Sequence, residues 1–195
     1  MIKFDILNSQ YNISKYIMTK KYIFGYGSLV NLNSVKKTLK KRVKSIPVIF
    51  QSKNYSRKWV CLKKRKKLTL KKQKSNENIN GILIPVDSKD LKLFNKREKS
   101  YDKIKLDIKY FKSFNNDKIP KGDVFTYVAK NKYNNPKKKC KLAQNYMDVV
   151  MQGFLKHGKN FTRKFKTKIK KKYTLNNRNK KGKLYILNSK NKKNL

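Results

Sequence analysis

A glycine-containing turn near the start of the chain has the residue types needed to bind an anion. Residues 23–29 run from a hydrophobic stretch into a Gly-x-Gly-Ser sequence. Glycine has no Cβ, so the backbone N–H groups of such a turn can approach a ligand and form a concavity for a carboxylate. An ordinary glycine turn is the alternative, because the third glycine of a dinucleotide fingerprint and a Walker pattern are both missing. The candidate substrate-binding residues are Ile23, Phe24, Gly25, Tyr26, Gly27, Ser28 and Leu29.

A glutamate is the second candidate functional residue. The chain has two glutamates, and Glu77 lies in a polar stretch, whereas Glu98 ends a predicted helix just before a predicted strand. A carboxylate is unfavourable at a helix C-terminus because of the helix dipole. In a chain so poor in acids, this position suggests a functional role. The alternative is an ion pair between Glu98 and Arg97 or a neighbouring lysine.

The cysteine and histidine content excludes several other chemistries. His157 is the only histidine, so histidine-based metal sites and Ser-His-Asp triads are not expected. Cys61 and Cys140 have no metal-ligand or disulfide-framework spacing, and we expect them to be free thiols. The sequence therefore predicts no metal site.

The two candidate groups are placed by short predicted elements. A strand over 22–26 leads into the glycine turn, and a helix over 34–40 follows it with Ser34 as its N-cap. Ser88 is the expected N-cap of a helix over 89–98, in which Leu91 and Phe94 lie at helical spacing.

The remaining pattern is that of a mixed α+β protein. Alternation of Ile104, Leu106, Ile108 and Tyr110 predicts a half-buried strand. An apolar stripe predicts a helix over 140–157, with Gly158 as its C-terminal cap. Strands outnumber helices and alternate irregularly with them, which favours α+β over a βαβ series. Further predicted strands cover 46–50, 55–62, 79–86 and 124–129.

The charge is extreme. The 195 residues include 54 Lys and Arg against 10 Asp and Glu, for a formal net charge of +44. Lysine clusters at 36–44, 63–74, 137–141 and 166–172 predict solvated loops and faces. One interpretation is compositional drift; the other is a protein that binds RNA or another polyanion and loses affinity steeply as salt rises. Lysine dominates over arginine and the charge is spread along the chain, which favours drift with some added basicity.

The domain organisation follows from length and composition. We expect an N-terminal extension over 1–20, one domain over 21–165 and a lysine-rich C-terminal segment over 166–195. No apolar run has transmembrane length, and polar residues interrupt the start of the chain early, so a cytoplasmic protein is expected. Organellar targeting by residues 1–20, or a start at Met18, are the alternatives.

Six blocks of the sequence together resemble the gamma-glutamylcyclotransferases, especially the ChaC-type branch. The first is residues 23–29, and the Arg-Glu-x-x-Tyr block that begins at Arg97 is similar to the one that carries the family's catalytic glutamate. The blocks occur in the family's order over about residues 21–160. The other four blocks are 55–59, 80–83, 124–128 and 145–153.

The resemblance implies a fold and a reaction. The fold is a small mixed β-barrel with helices packed outside it. The substrate's α-amino group attacks its own γ-carbonyl, which yields 5-oxoproline and a released amine or peptide without a cofactor. Glu98 would move the protons, residues 23–29 would hold the substrate, and Tyr101 and Tyr127 are candidates for positioning it or for ordinary core tyrosines. The later block of the glutathione-specific branch is missing, so glutathione and other γ-glutamyl substrates stay open.

Overall fold

The described part of the protein combines a central β-sheet with four helices. The computed structural model describes residues 19–62, 65–119, 121–133, 140, 142–165, 174–175 and 185–186. The strands are β1 Lys21–Gly25, β2 Ile46–Phe50, β3 Tyr55–Leu62, β4 Arg65–Lys72, β5 Ile79–Val86, β6 Tyr101–Leu106, β7 Phe111–Ser113, β8 Asp123–Ala129, β9 Thr174–Leu175 and β10 Tyr185–Ile186. The helices are α1 Leu32–Leu39, α2 Ser88–Arg97, α3 Gln144–Leu155 and α4 Lys159–Arg163, and 3-10 turns occupy Ser28–Val30, Ile108–Tyr110 and Asn131–Tyr133. The predicted α+β class is confirmed.

The strands form an open sheet. Six of the described strands follow the order β6-β8-β1-β5-β2-β7, in which β1 and β8 are parallel and the other neighbours are antiparallel. The expected β-barrel is therefore corrected: β6 and β7 remain edges in the described part of the chain, so the sheet does not close. Strands β3 and β4 form a separate antiparallel hairpin, and β9 pairs with β10.

Strand β4 makes most of the lysine cluster at 63–74 a strand with a solvated face and not a loop. Leu68, Thr69 and Leu70 are buried at its centre, while Lys66 and Lys71 on either side are exposed. Burial of Leu68 and Leu70 against the core stabilises the strand, and the lysines remain hydrated at its ends. A lysine-rich stretch can therefore be a strand when a few apolar residues interrupt it.

The helices α1 and α2 begin one residue or more before their predicted starts. Asn31, instead of Ser34, caps α1, because its Oδ1 accepts hydrogen bonds from the N–H groups of Asn33 at 3.0 Å and Ser34 at 3.4 Å. Asp87, instead of Ser88, caps α2 through a reciprocal capping box with Asp90. In both cases a residue earlier in the chain than the predicted cap has a side-chain acceptor in reach of the first free N–H groups.

Further boundaries differ from the prediction. The alternating strand ends at Leu106, because the Asp107 side chain accepts from the Lys109 N–H and starts a 3-10 turn; Tyr110 is consequently exposed. Helix α3 spans Gln144–Leu155, against the predicted 140–157, and Lys156 is its C-cap. Gly158, with φ of +93°, instead forms the turn into α4, a conformation that favours glycine.

The core lies between the sheet and the helices, and α3 is tied closely to the glycine turn. A Cβ on Gly153 would lie 2.6 Å from the backbone nitrogen of Asn31, so this glycine permits the close approach of α3. Asn31 also donates from Nδ2 to the Val149 carbonyl at 2.9 Å. The largest fully buried side chains are Phe24, Phe50, Phe94, Phe154, Phe161, Ile23, Ile79, Ile82, Leu83, Ile84, Met147 and Val30.

Cys61 and Cys140 form a disulfide, which corrects the expectation of free thiols. Their Cα atoms lie 5.7 Å apart, within the usual range for bridged cysteines. The bond joins β3 to the segment just before α3, across 79 residues of sequence. Pairing over such a separation depends on the tertiary fold, so the spacing of two cysteines does not reveal it.

Two expected segments fall mostly outside the described residues. Of the expected N-terminal extension, only residues 19 and 20 are described, and of the lysine-rich segment 166–195 only the strands β9 and β10. Both boundaries stay predictions. Among the described residues, none of the helices has the length and apolar character needed to cross a membrane.

Candidate active site

The glycine turn connects the central strand β1 to the helical layer. The N–H of Val30 donates to the Gly27 carbonyl at 3.0 Å, and that of Asn31 donates to the Ser28 carbonyl at 3.3 Å. A Cβ on Gly25 would lie 2.8 Å from the Cβ of Leu29, so the turn folds back on itself too closely for a larger residue. The first N–H groups of a helical turn have no carbonyl partner within it and take their partners from outside the turn.

Two adjoining cavities lie beside this turn. The smaller one is about 30 Å³ and is bordered by the turn, including Gly27. The larger one is about 670 Å³ and opens toward solvent between α2, the β3–β4 hairpin and α3. The two cavities share four lining residues and therefore meet at them: Ser28, Glu98, Tyr101 and Tyr146.

The structure brings most of the predicted site residues to these cavities. Ser28, Glu98 and Tyr101 line both of them. Ile23 and Gly25 belong to β1, the strand that leads to the turn, and they line neither cavity. The remaining predicted residues line the smaller cavity: Phe24, Tyr26, Gly27, Leu29 and Tyr127.

Glu98 is largely buried at the junction of the two cavities. It is the C-cap residue of α2, as its predicted place at the helix end requires, and its side chain is 14% exposed. Oε1 accepts a hydrogen bond from Arg97 Nε at 2.9 Å, so the ion pair considered as an alternative is present. Burial raises the pKa of the Glu98 carboxyl, and the positive charges of Arg97 and Lys67 offset part of this increase. Glu98 is thus both paired with Arg97 and accessible from the cavity.

Arg97 is held rigidly beside Glu98. Its Nη1 donates to the Ser34 carbonyl at 2.9 Å and to Thr38 Oγ1 at 2.8 Å. Its Nη2 donates to Ser34 Oγ at 2.9 Å. These bonds fasten the end of α2 to α1 and fix the position of the Glu98 carboxylate.

Four tyrosines surround the junction and stay protonated at neutral pH. Burial raises the pKa of Tyr26, Tyr101, Tyr127 and Tyr146 well above the usual range of a phenol. Tyr127 donates to Asn95 Oδ1 at 2.7 Å, and the Tyr26 hydroxyl donates to the Tyr127 carbonyl. These bonds make Tyr26 and Tyr127 rigid parts of the wall of the smaller cavity.

The β3–β4 hairpin covers the junction and is held there by hydrogen bonds. The Leu68 N–H donates to the Tyr146 hydroxyl at 3.1 Å, and the Leu68 carbonyl accepts from Tyr101 Oη at 3.4 Å. The Ala129 N–H donates to Thr69 Oγ1 at 2.9 Å, which ties the hairpin to β8. The hairpin therefore brings Arg65 and Lys67 to the wall of the larger cavity.

Several residues that line the cavities are not among the predicted site residues. Arg97 is expected only as an ion-pair partner of Glu98 and as the start of the Arg-Glu-x-x-Tyr block, and Asn145 and Tyr146 only as part of the block at 145–153. Arg65 and Lys67 fall in the lysine cluster at 63–74, which predicts solvated loops and faces. The alternation around Leu68 and Leu70 is the signal that places Arg65 and Lys67 on one face of a strand. The unpredicted lining residues with a charged, amide or phenol side chain are Arg65, Lys67, Arg97, Asn145 and Tyr146.

Among the described residues, no group of three or more His, Cys, Asp or Glu side chains could hold a metal ion. The site consists of a carboxylate, several cations, tyrosines and backbone N–H groups. Its described side chains suit acid–base chemistry on a polar organic substrate.

Comparison with known proteins identifies the fold. A structure titled gamma-glutamyl cyclotransferase matches with a TM-score of 0.55 and 12% identity, over 79% of this chain and 93% of the other. An uncharacterized protein from Homo sapiens matches with a TM-score of 0.53 and 12% identity, over 80% and 94%. The chain has a gamma-glutamylcyclotransferase-like fold.

Other comparisons limit what this likeness shows. The YkqA protein from Bacillus subtilis matches with a TM-score of 0.53 and 16% identity, over 74% of this chain but only 52% of YkqA. No family model matches the chain, and no curated protein matches it. At these identities the likeness extends to the fold, and the ChaC-type branch suggested by the sequence blocks stays a prediction.

Proposed function

We propose that the protein is a gamma-glutamylcyclotransferase-type enzyme that converts a γ-glutamyl amide into 5-oxoproline and a free amine. The observation that supports this most is that Ser28 of the glycine turn and Glu98 line the same two adjoining cavities. An anion-binding turn and a general base within one substrate length are what an intramolecular cyclisation requires. The gamma-glutamylcyclotransferase-like fold is consistent with this assignment.

The glycine turn would bind and bend the glutamyl part of the substrate. In this proposal the N–H groups around Gly27 and Ser28 bind the α-carboxylate or the γ-carbonyl oxygen. Tyr101 and Tyr127 would limit the positions open to the glutamyl chain. Holding the amine near the γ-carbonyl carbon lowers the entropic cost of ring closure.

Glu98 would carry the proton between two nitrogen atoms. The substrate's α-amino nitrogen bonds to the γ-carbonyl carbon as Glu98 accepts the proton which that nitrogen loses. The bond from the γ-carbon to the leaving nitrogen then breaks, and Glu98 returns the proton to the leaving nitrogen. The one proton that the attacking nitrogen loses is the one that the leaving nitrogen gains, so the reaction needs only the substrate and one carboxylate.

A direct assay tests the proposed reaction. We expect the protein to release 5-oxoproline and an equal amount of amine from glutathione or from a γ-glutamyl dipeptide. Both products can be quantified by mass spectrometry against a reaction without protein. Failure to turn over any γ-glutamyl substrate would contradict the proposal.

The acid side of the pH profile should depend on the charges around Glu98. The carboxylate must be ionised to accept a proton, so kcat/KM should fall as pH drops through the raised pKa of Glu98. Lys67→Gln removes a nearby positive charge that lowers this pKa, so the acid limb should move to higher pH.

Measuring kcat/KM against pH for both proteins would show this shift. Lys66→Gln is the matched control, because Lys66 is exposed on the same strand and does not line either cavity. An acid limb that stays in place in Lys67→Gln would show that the charge of Lys67 does not govern the ionisation that limits the rate.

Binding of RNA or another polyanion remains the alternative function. A groove of about 630 Å³ between α1 and α3 is lined by Lys36, Lys37 and Lys40, and it is one surface that phosphates could contact. Such binding would not require the cavities at Glu98. The alternative is therefore compatible with either an active or a silent site.

A further inference from the structure

The larger cavity contains more positive than negative charge. Among its described lining residues, Arg65 and Lys67 come from β4 and Arg97 from the end of α2, and the one carboxylate is that of Glu98. Arg97 is already bound to Glu98, Ser34 and Thr38. The cationic groups of Arg65 and Lys67 therefore decide what charge a ligand in this cavity should carry.

Arg65 and Lys67 are available to a ligand. Neither forms an ion pair with a carboxylate in the part of the chain that the structure describes. Lys67 Nζ lies 3.7 Å from the centre of the Tyr146 ring, which fixes the ammonium at the cavity wall. The two residues are two positions apart on one strand, so their side chains share a face.

The sizes of the cavities indicate which part of a substrate meets these cations. The smaller cavity, at the glycine turn, has about 30 Å³, room for little more than one water-sized group. That space takes only the carboxylate or carbonyl group that the turn is proposed to bind, so the rest of the glutamyl chain and the whole leaving group lie in the larger cavity of about 670 Å³. Under the proposed function the γ-carbonyl lies beside Glu98 at the junction, and the leaving group extends from it along the larger cavity, where Arg65 and Lys67 form part of the wall.

We propose that Arg65 and Lys67 select γ-glutamyl substrates whose leaving group is an acidic amino acid or an acidic peptide, with two or more carboxylates. This inference rests on the proposed function. Two unpaired cations on one face are complementary to two carboxylates, whereas a cationic amine would be repelled from them. A neutral leaving group would leave at least one of them without a partner.

The test compares two substrates that differ only in one charge. γ-Glutamyl-glutamate and γ-glutamyl-glutamine have leaving groups of the same shape, but only the first has a side-chain carboxylate. We expect kcat/KM for 5-oxoproline formation to be about fivefold to twentyfold higher for γ-glutamyl-glutamate at low salt. Added salt should reduce this ratio, because the cations are partly exposed.

Substitutions then assign the preference to the two cations. The double variant Arg65→Gln/Lys67→Gln should bring the substrate ratio close to one. The control Lys66→Gln/Lys71→Gln removes two charges from exposed positions on the same strand and should keep the ratio. Because the measured quantity is the ratio of kcat/KM for the two substrates, any effect of the variants on the ionisation of Glu98 or on folding cancels.

The possible outcomes separate this inference from the proposed function. Turnover of both dipeptides at equal rates, or a ratio unchanged in the double variant, would overturn the inference and leave the reaction intact. If kcat/KM of the double variant falls by the same factor on both substrates, the two cations bind the common glutamyl part instead. This result also overturns the inference. If no γ-glutamyl compound, glutathione included, yields 5-oxoproline, the proposed function itself fails.

Discussion

Glu98→Gln is expected to lower 5-oxoproline formation by about 10²- to 10⁴-fold, the usual contribution of a general acid–base group. Glutamine has nearly the same shape and can still accept the hydrogen bond from Arg97 Nε. It cannot take up a proton from the attacking nitrogen. The loss should therefore appear in kcat, while KM changes little, because the groups proposed to bind the glutamyl part remain.

The other glutamate of the chain provides the matched control. Glu77 accepts a hydrogen bond from the Arg57 N–H at 3.1 Å and lies outside the lining of both cavities. Glu77→Gln should keep kcat within a few-fold of the original protein. Thermal unfolding of both variants would confirm that they are folded. A Glu98→Gln variant with unchanged kcat would remove Glu98 from the mechanism, whatever the role of the glycine turn.

The elements around the site could be predicted because their local signals agree with the fold. Strand β1 has an apolar run ended by glycines, and α2 has Leu91 and Phe94 at helical spacing. The glycine turn and Glu98 therefore lie at the ends of predictable elements. That both lie at the junction of the two cavities could not be derived from the sequence pattern, since it depends on β1 pairing with β5 while the end of α2 lies against α1.

The walls of the site were less predictable for a different reason. Tyr146 lies on the apolar face of α3, where a tyrosine looks like an ordinary core residue, yet its hydroxyl accepts from Leu68 across the cavity. Lys67 lies in a basic stretch whose charge suggests solvent, although two buried leucines place it in a strand. The roles of such residues depend on partners 30 to 80 positions away, and local periodicity does not include them.

Arg57 should control stability instead of catalysis. It is buried on β3 and donates to the carbonyl and the side-chain oxygen of Asn80 on β5. Its guanidinium also lies 5.4 Å from the ring centre of Phe154 and 4.7 Å from that of Phe165. Asn80 in turn donates to the Phe161 carbonyl at 2.6 Å. Arg57 thus connects the hairpin, the central sheet and the region of α3 and α4.

We expect Arg57→Met to lower the free energy of unfolding by about 2–4 kcal/mol. Methionine fills much of the same space but leaves the Asn80 oxygen atoms buried without their donors, and it removes the contacts of the cation with two aromatic rings. Burial lowers the pKa of Arg57 only to about 10, so the side chain remains charged at neutral pH. Urea unfolding of the two proteins, followed by tryptophan fluorescence, measures the difference.

The neighbouring lysine distinguishes the loss of these contacts from the loss of a positive charge. Lys58 is the next residue on β3 and is only half-buried, so Lys58→Met removes the same charge without uncovering a buried acceptor. Its free energy of unfolding should stay within about 0.5 kcal/mol of the original. Removing the buried cation also removes the free-energy cost of its desolvation. If Arg57→Met is as stable as the original protein or more stable, this cost equals or exceeds the stabilisation from the hydrogen bonds of Arg57. A large loss of unfolding free energy in Arg57→Met, with none in Lys58→Met, would show that the buried hydrogen-bond network holds the hairpin, and with it Arg65 and Lys67, over the cavity.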